Sequence, residues 1–87
     1  MSLIRVELPS EHSAPMIYYL TKAQLIKFRS SVIKGKSAPL NSMINGHYFQ
    51  FNQDSIYHYD FAEFTGSYLV IPTINILKKL NTYIDNN

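Results

Sequence analysis

The chain has no cysteine. That removes disulfides, thiolate metal sites and thiol nucleophiles together, and it makes a reducing, cytoplasmic setting the simpler expectation. Glycine is nearly as scarce, and three scattered residues exclude the usual phosphate-cradling loops. No apolar run approaches the roughly 20 residues of a membrane span, and residues 1–8 have neither the basic region nor the hydrophobic core of a signal peptide. No serine sits in a glycine-flanked elbow or beside a recognisable base and its orienting partner. The expectation is a protein without enzymatic activity, cofactor or membrane contact.

Charge is sparse as well. Charged residues make up 16% of the chain, below the usual quarter, so a small domain of this kind leaves apolar surface exposed and leans toward self-association or a protein partner. The net charge of +2 is unevenly spread. Lys22, Lys27, Arg29, Lys34 and Lys36 fall in one segment without an acid, whereas 37–77 holds Asp54, Asp60 and Glu63 and no Lys or Arg.

What is present is 46% hydrophobic residues in a chain of 87, read as one domain over 1–87 with no repeat and no linker. Its organising stretch is 40–61, three short strands joined by tight turns. Asn45-Gly46 suits the turn whose twist matches paired strands, and Asn52-Gln53-Asp54-Ser55 forms the second corner. With Ile44 opposite His47 and Phe51 opposite Ile56, the register sorts the side chains. One face takes Leu40, Ser42, Ile44, His47, Phe49, Phe51, Ile56, His58 and Asp60 and is expected to face the core. The other takes Asn41, Met43, Tyr48, Gln50, Tyr57, Tyr59 and Phe61. Tyrosine joins a rigid apolar ring to a hydroxyl that can stay wet, a combination enriched at recognition surfaces. Met43, Tyr48, Gln50, Tyr57 and Tyr59 are therefore the candidate protein-binding residues, toward another protein or a second copy in a homodimer. The alternative arrangement covers this face with the N-terminal strands, making a second small core.

Around this stretch, 3–8 and 16–20 read as strands, either paired as a hairpin or with the first at an edge of the main sheet. Thr21 and Gln24 form a capping box ahead of a helix over 22–34. Its wheel groups Leu25, Ile26, Phe28, Val32 and Ile33 on one flank, with Gln24, Lys27, Ser31 and Lys34 opposite and Lys22 and Arg29 toward the apolar side. Gly35 is expected to stop it as a left-handed cap. Residues 62–66 read equally as a helical turn or a strand's tail. A strand over 67–71 ends at Pro72, and Thr73 is expected to cap a last helix over 73–84. The predicted fold is α+β, a two-layer domain with a mostly antiparallel sheet and both amphipathic helices on its aliphatic face.

Two further groupings carry chemistry. His47, His58 and Asp60 share a face and have the composition of a two-histidine, one-carboxylate metal site. A hydrogen-bonded cluster is the more ordinary fate of such residues, and no metal is assigned. The basic segment 22–36 supplies the alternative function, nucleic-acid binding through Lys27, Lys34 and Lys36. The portion 21–84 resembles the double-stranded-RNA-binding arrangement in outline, but its last helix lacks the basic start that such modules set against phosphate. The favoured reading is a small inhibitor, adaptor or regulatory subunit acting through protein contacts.

Overall fold

The computed structural model describes residues 2–10, 15–44, 46–59 and 68–87. The elements run β1 (Ile4–Leu8), β2 (Met16–Leu20), α1 (Lys22–Ser37), β3 (Leu40–Ile44), β4 (His47–Asn52), β5 (Ser55–Tyr59), β6 (Tyr68–Pro72) and α2 (Ile76–Asp85). Strands β3 to β6 form a four-stranded antiparallel meander in sequence order, and β1 with β2 forms a separate two-stranded hairpin. The α+β class, the meander and its register are as the sequence implied. Ile44 faces His47 across the first two-residue loop, Phe51 faces Ile56 with Asn52 and Ser55 closing the second, and Gly46 takes the left-handed backbone that the first loop needs (φ 79°). The expectations placed on Asn45, Asp60, Phe61 and 62–67 lie outside the described residues.

The aliphatic face of the meander carries the core. Ile44, Phe49, Phe51 and Ile56 are buried there, and Phe28 of α1 meets Phe49 and Phe51 edge-on with ring centroids 5.1 and 5.3 Å apart. The hairpin joins the same side. Val6, Leu8, Tyr18 and Leu20 point inward from it, and the Tyr18 ring packs on Phe49 at 5.7 Å. The N-terminal strands therefore do not form an edge of the main sheet, and they do not cover its tyrosine face. Their inward side is aliphatic and seeks the aliphatic side of the meander. On β1 the amide of Glu7 donates to the Tyr83 hydroxyl of α2 at 3.1 Å, which takes up one of the donors left outside the hairpin.

Helix α1 departs from its wheel. The capping box is complete, with Thr21 N–H donating to Gln24 Oε1 at 2.8 Å and Gln24 N–H to Thr21 Oγ1 at 3.2 Å. The helix then runs through Gly35 to Ser37, so Gly35 is no terminal cap. It is buried against β4, where a Cβ on it would stand 2.6 Å from Phe51 Cβ. The last turn ends at an extended Ala38 (φ −151°), the conformation that Pro39 imposes on its predecessor. Close approach at Gly35 rotates the helix so that Leu25, Phe28, Ser31, Val32 and Gly35 are buried, while Ile26 and Ile33 remain 43% and 52% exposed. Ser31 thus lies in the contact rather than opposite it. Lys22 is exposed, and the half-buried Arg29 donates to Asn81 Oδ1 of α2 at 2.7 Å, so neither turns toward the core.

Helix α2 begins later than Thr73. That hydroxyl donates to the Gln53 carbonyl at 3.2 Å, the Ile76 amide bonds the Thr73 carbonyl, and the chain enters the helix through Asn75 in left-handed conformation (φ 69°). Ile76, Leu80 and Ile84 complete the core.

Gly35→Ala tests the packing that sets this rotation. In an exposed helix the change stabilises by about 1 kcal/mol. Here the Phe51 backbone and Cβ stand where the methyl must go, so denaturant unfolding should show a loss of about 1–3 kcal/mol, and a gain would refute the contact.

Candidate protein-binding face and a buried tyrosine–histidine chain

The register brings all five candidate residues to one face. Met43 opposes Tyr48, Tyr48 opposes Tyr59 and Gln50 opposes Tyr57, with Val70 of β6 continuing the row beyond Tyr57. Tyr48 and Tyr59 meet edge to face at 5.6 Å, and the Tyr59 hydroxyl donates to Gln50 Oε1 at 3.1 Å. The tyrosines are half-buried, and Met43 is 52% exposed. By alternation the face also takes Asn41, Asn52 and Ser55, so among the described residues it carries no charged side chain. Cross-strand pairing fixes the rings in place, and tyrosine has few rotors to lose on contact.

The alternative residues lie on α1. Lys27, Lys34 and Lys36 are all exposed, with Lys27 and Lys34 seven positions apart on one flank and Lys36 on the other. The Lys27 ammonium donates to the Met43 carbonyl at 3.2 Å, screening part of the outer edge of β3.

On the core side the structure assembles a chain that the sequence showed only in part. His58, 4% exposed, places Nε2 at 3.0 Å from His47 Nδ1 and Nδ1 at 3.3 Å from the Tyr18 hydroxyl. Its ring stacks on Phe49 with centroids 4.8 Å apart. One proton lies between the two imidazoles, so a neutral His58 has a choice of two states. It donates from Nε2 and accepts from Tyr18, or it accepts from His47 and donates to the Tyr18 oxygen. The alternation of β4 and β5 had put His47 and His58 together. Tyr18 was missed, although a tyrosine on the inward side of an otherwise aliphatic strand signals a hydroxyl in need of a partner. Asp60, the third member of the postulated metal set, lies outside the described residues, and among those described no three metal-ligating side chains gather.

Chemically the chain is a satisfied polar contact in an apolar setting, pinning the hairpin to the sheet. Burial pushes the Tyr18 phenol well above its ordinary ionisation range, so it stays protonated at neutral pH. Two surface depressions, one beside Lys36, Asp54 and Thr73 and the other beside Ile4, Lys22 and Asn87, lie away from both histidines. No protein-family model, curated protein or solved structure matches the chain.

The raised phenol ties stability to alkaline pH. Below about pH 10 the group is protonated whether the chain is folded or not; above it the unfolded chain ionises first, binds fewer protons, and stability falls as pH rises. Tyr18 should contribute a negative slope of up to about 1.4 kcal/mol per pH unit there. Tyr18→Phe should remove that slope while costing about 1–3 kcal/mol at neutral pH, because His58 Nδ1 loses its phenol partner. Urea unfolding of both proteins from pH 7 to 11 decides it, and equal slopes would discard the account.

Proposed function

We propose that the protein is a small, non-catalytic, cytoplasmic interaction module that docks on another protein, or on its own copy, through the tyrosine face. The observation that supports this is the one-sided distribution of the fold. The hairpin and α1 both pack on the aliphatic face, α2 joins them in one core, and no described element covers the opposite face. On the side opposite the described helices and hairpin the sheet carries rigid aromatic rings, an adaptable methionine and an amide acceptor, the composition favoured at the centre of protein interfaces. Charge is absent from its described residues, so two copies can meet there without like-charge repulsion and stack as a sandwich with sheets about 10 Å apart. Single-stranded nucleic acid, the other ligand that aromatic sheets take, is held by a cationic groove beside the rings. This face has none among the described residues.

Light scattering on the size-exclusion peak reads self-association directly. The wild type should run as a dimer, and Tyr57→Ala with Tyr59→Ala should run as a monomer with its melting temperature lowered by no more than a few degrees. A monomeric wild type moves the test to capture from host lysate, where the double variant should lose every protein the wild type retains. Gross unfolding of the variant, or unchanged association, would reject the proposed face.

A further inference from the structure

We propose that the outer side of α1 is a second docking surface, which takes one amphipathic helix of another protein with acidic flanks. The rotation imposed at Gly35 makes this visible. With Leu25, Phe28, Val32 and Gly35 against the sheet, the residues that face outward are Ala23, Ile26, Ser30, Ile33 and Ser37. Their spacing alternates three and four, the seam of a coiled coil. Isoleucines at Ile26 and Ile33 stand one heptad apart as knobs, and the small side chains of Ala23, Ser30 and Ser37 leave the holes between them.

The flanks of this seam are uniformly basic. Lys22, Arg29 and Lys36 follow one side at seven-residue spacing, and Lys27 and Lys34 follow the other. These are the positions whose charges choose the partner in a helix pair. Lys27 and Arg29 donate to a neutral carbonyl and a neutral amide, so among the described residues neither bond compensates their charge. Among the described residues the ion pair is Arg5 with Glu7, remote from the seam, and no described carboxylate lies within ion-pair distance of the five cations.

Charge identifies the occupant. A second copy of α1 would bring five more cations to the same flanks, and α2 offers Lys78 and Lys79 against the single acid Asp85, so the chain does not supply its own complement. A phosphate backbone would use the cations and leave the isoleucines idle. A lipid surface calls for a broad apolar face with bulky inserting side chains, and the broad apolar face of α1 is already in the core. An acidic amphipathic helix uses both features together. This surface lies on the opposite side of the molecule from the tyrosine face and does not depend on it.

The probe is a labelled synthetic peptide of about four heptads, with leucine and isoleucine along its seam and glutamate at every flanking position, titrated with the full chain by fluorescence anisotropy. It should bind with an affinity that falls as salt rises, and a counterpart with lysine at the flanks should not bind. Ile26→Ser with Ile33→Ser alters exposed positions only and should weaken binding at least about tenfold without lowering the melting temperature. Lys22→Glu, Lys34→Glu and Lys36→Glu together should reverse the preference, so that the lysine-flanked peptide binds instead. Tyr57→Ala with Tyr59→Ala should bind the acidic peptide as the wild type does, which separates this proposal from the one above. Failure of the acidic peptide to bind, or equal binding by the isoleucine double variant, would overturn it. So would tighter binding to a single-stranded oligonucleotide or to phosphatidylserine vesicles that survives loss of both isoleucines.

Discussion

The contact between Gly35 and Phe51 governs how this molecule presents itself. A helix lies on a sheet at the distance its smallest facing residue permits, and a glycine with a would-be Cβ 2.6 Å from a strand Cβ lets the backbones come close. The Gln53 amide, donating to the Gly35 carbonyl at 3.0 Å, clamps the same point from the β4–β5 turn and gives one of the helix's terminal carbonyls its partner. Once that end is fixed, the 100° step of the helix determines the rest. Phe28 and Val32 follow Gly35 inward, and Ile26 and Ile33 are carried out. An apolar count alone would have turned them in.

This rotation and the one-sided layering together give the protein two outward surfaces of different character. The sheet's tyrosine face is uncharged among the described residues and aromatic, held rigid by cross-strand pairing. The helix's outer face is cationic and aliphatic, on an element whose own core contact is complete. Among the described residues both helices and the hairpin lie on one side of the meander, which concentrates the small core there. The two faces are chemically distinct and lie on opposite sides of the described fold.

The meander was legible because its signals are local. Asn45-Gly46 and the Asn52 to Ser55 corner each set a two-residue loop, and a strand's period of two then leaves no choice of face, so Phe49, Phe51, Ile56 and His58 inward and Tyr48, Tyr57 and Tyr59 outward followed directly. The helix rotation was not legible, because it depends on Gly35 meeting Phe51 across sixteen positions of chain. A lone glycine near a helix end reads first as a stop. Thr73 misled for a related reason. A threonine before an apolar run resembles a cap, but its hydroxyl was claimed by the Gln53 carbonyl and the helix had to begin past Asn75. The partner of His58 was hidden because a strand's own pattern says which side is inward, while the docking of hairpin on sheet is set by tertiary packing.

That docking explains why a buried histidine is tolerated in so small a core. His58 occupies a position that an aliphatic residue could fill, and an imidazole left without partners there would cost about 1–3 kcal/mol. Tyr18 and His47 supply a partner at each end, and the price is that hairpin and sheet must meet in one orientation for the chain to close. An all-aliphatic contact between hairpin and meander would tolerate sliding, since its attraction has no direction. Hydrogen bonds at 3.0 and 3.3 Å do have direction, and a shift of one residue along β2 would carry Tyr18 to the other side of the strand. The polar chain therefore adds less to the strength of the association than to its register. Register is what keeps Val6, Leu8 and Leu20 on the aliphatic side and leaves the tyrosines of the meander facing out.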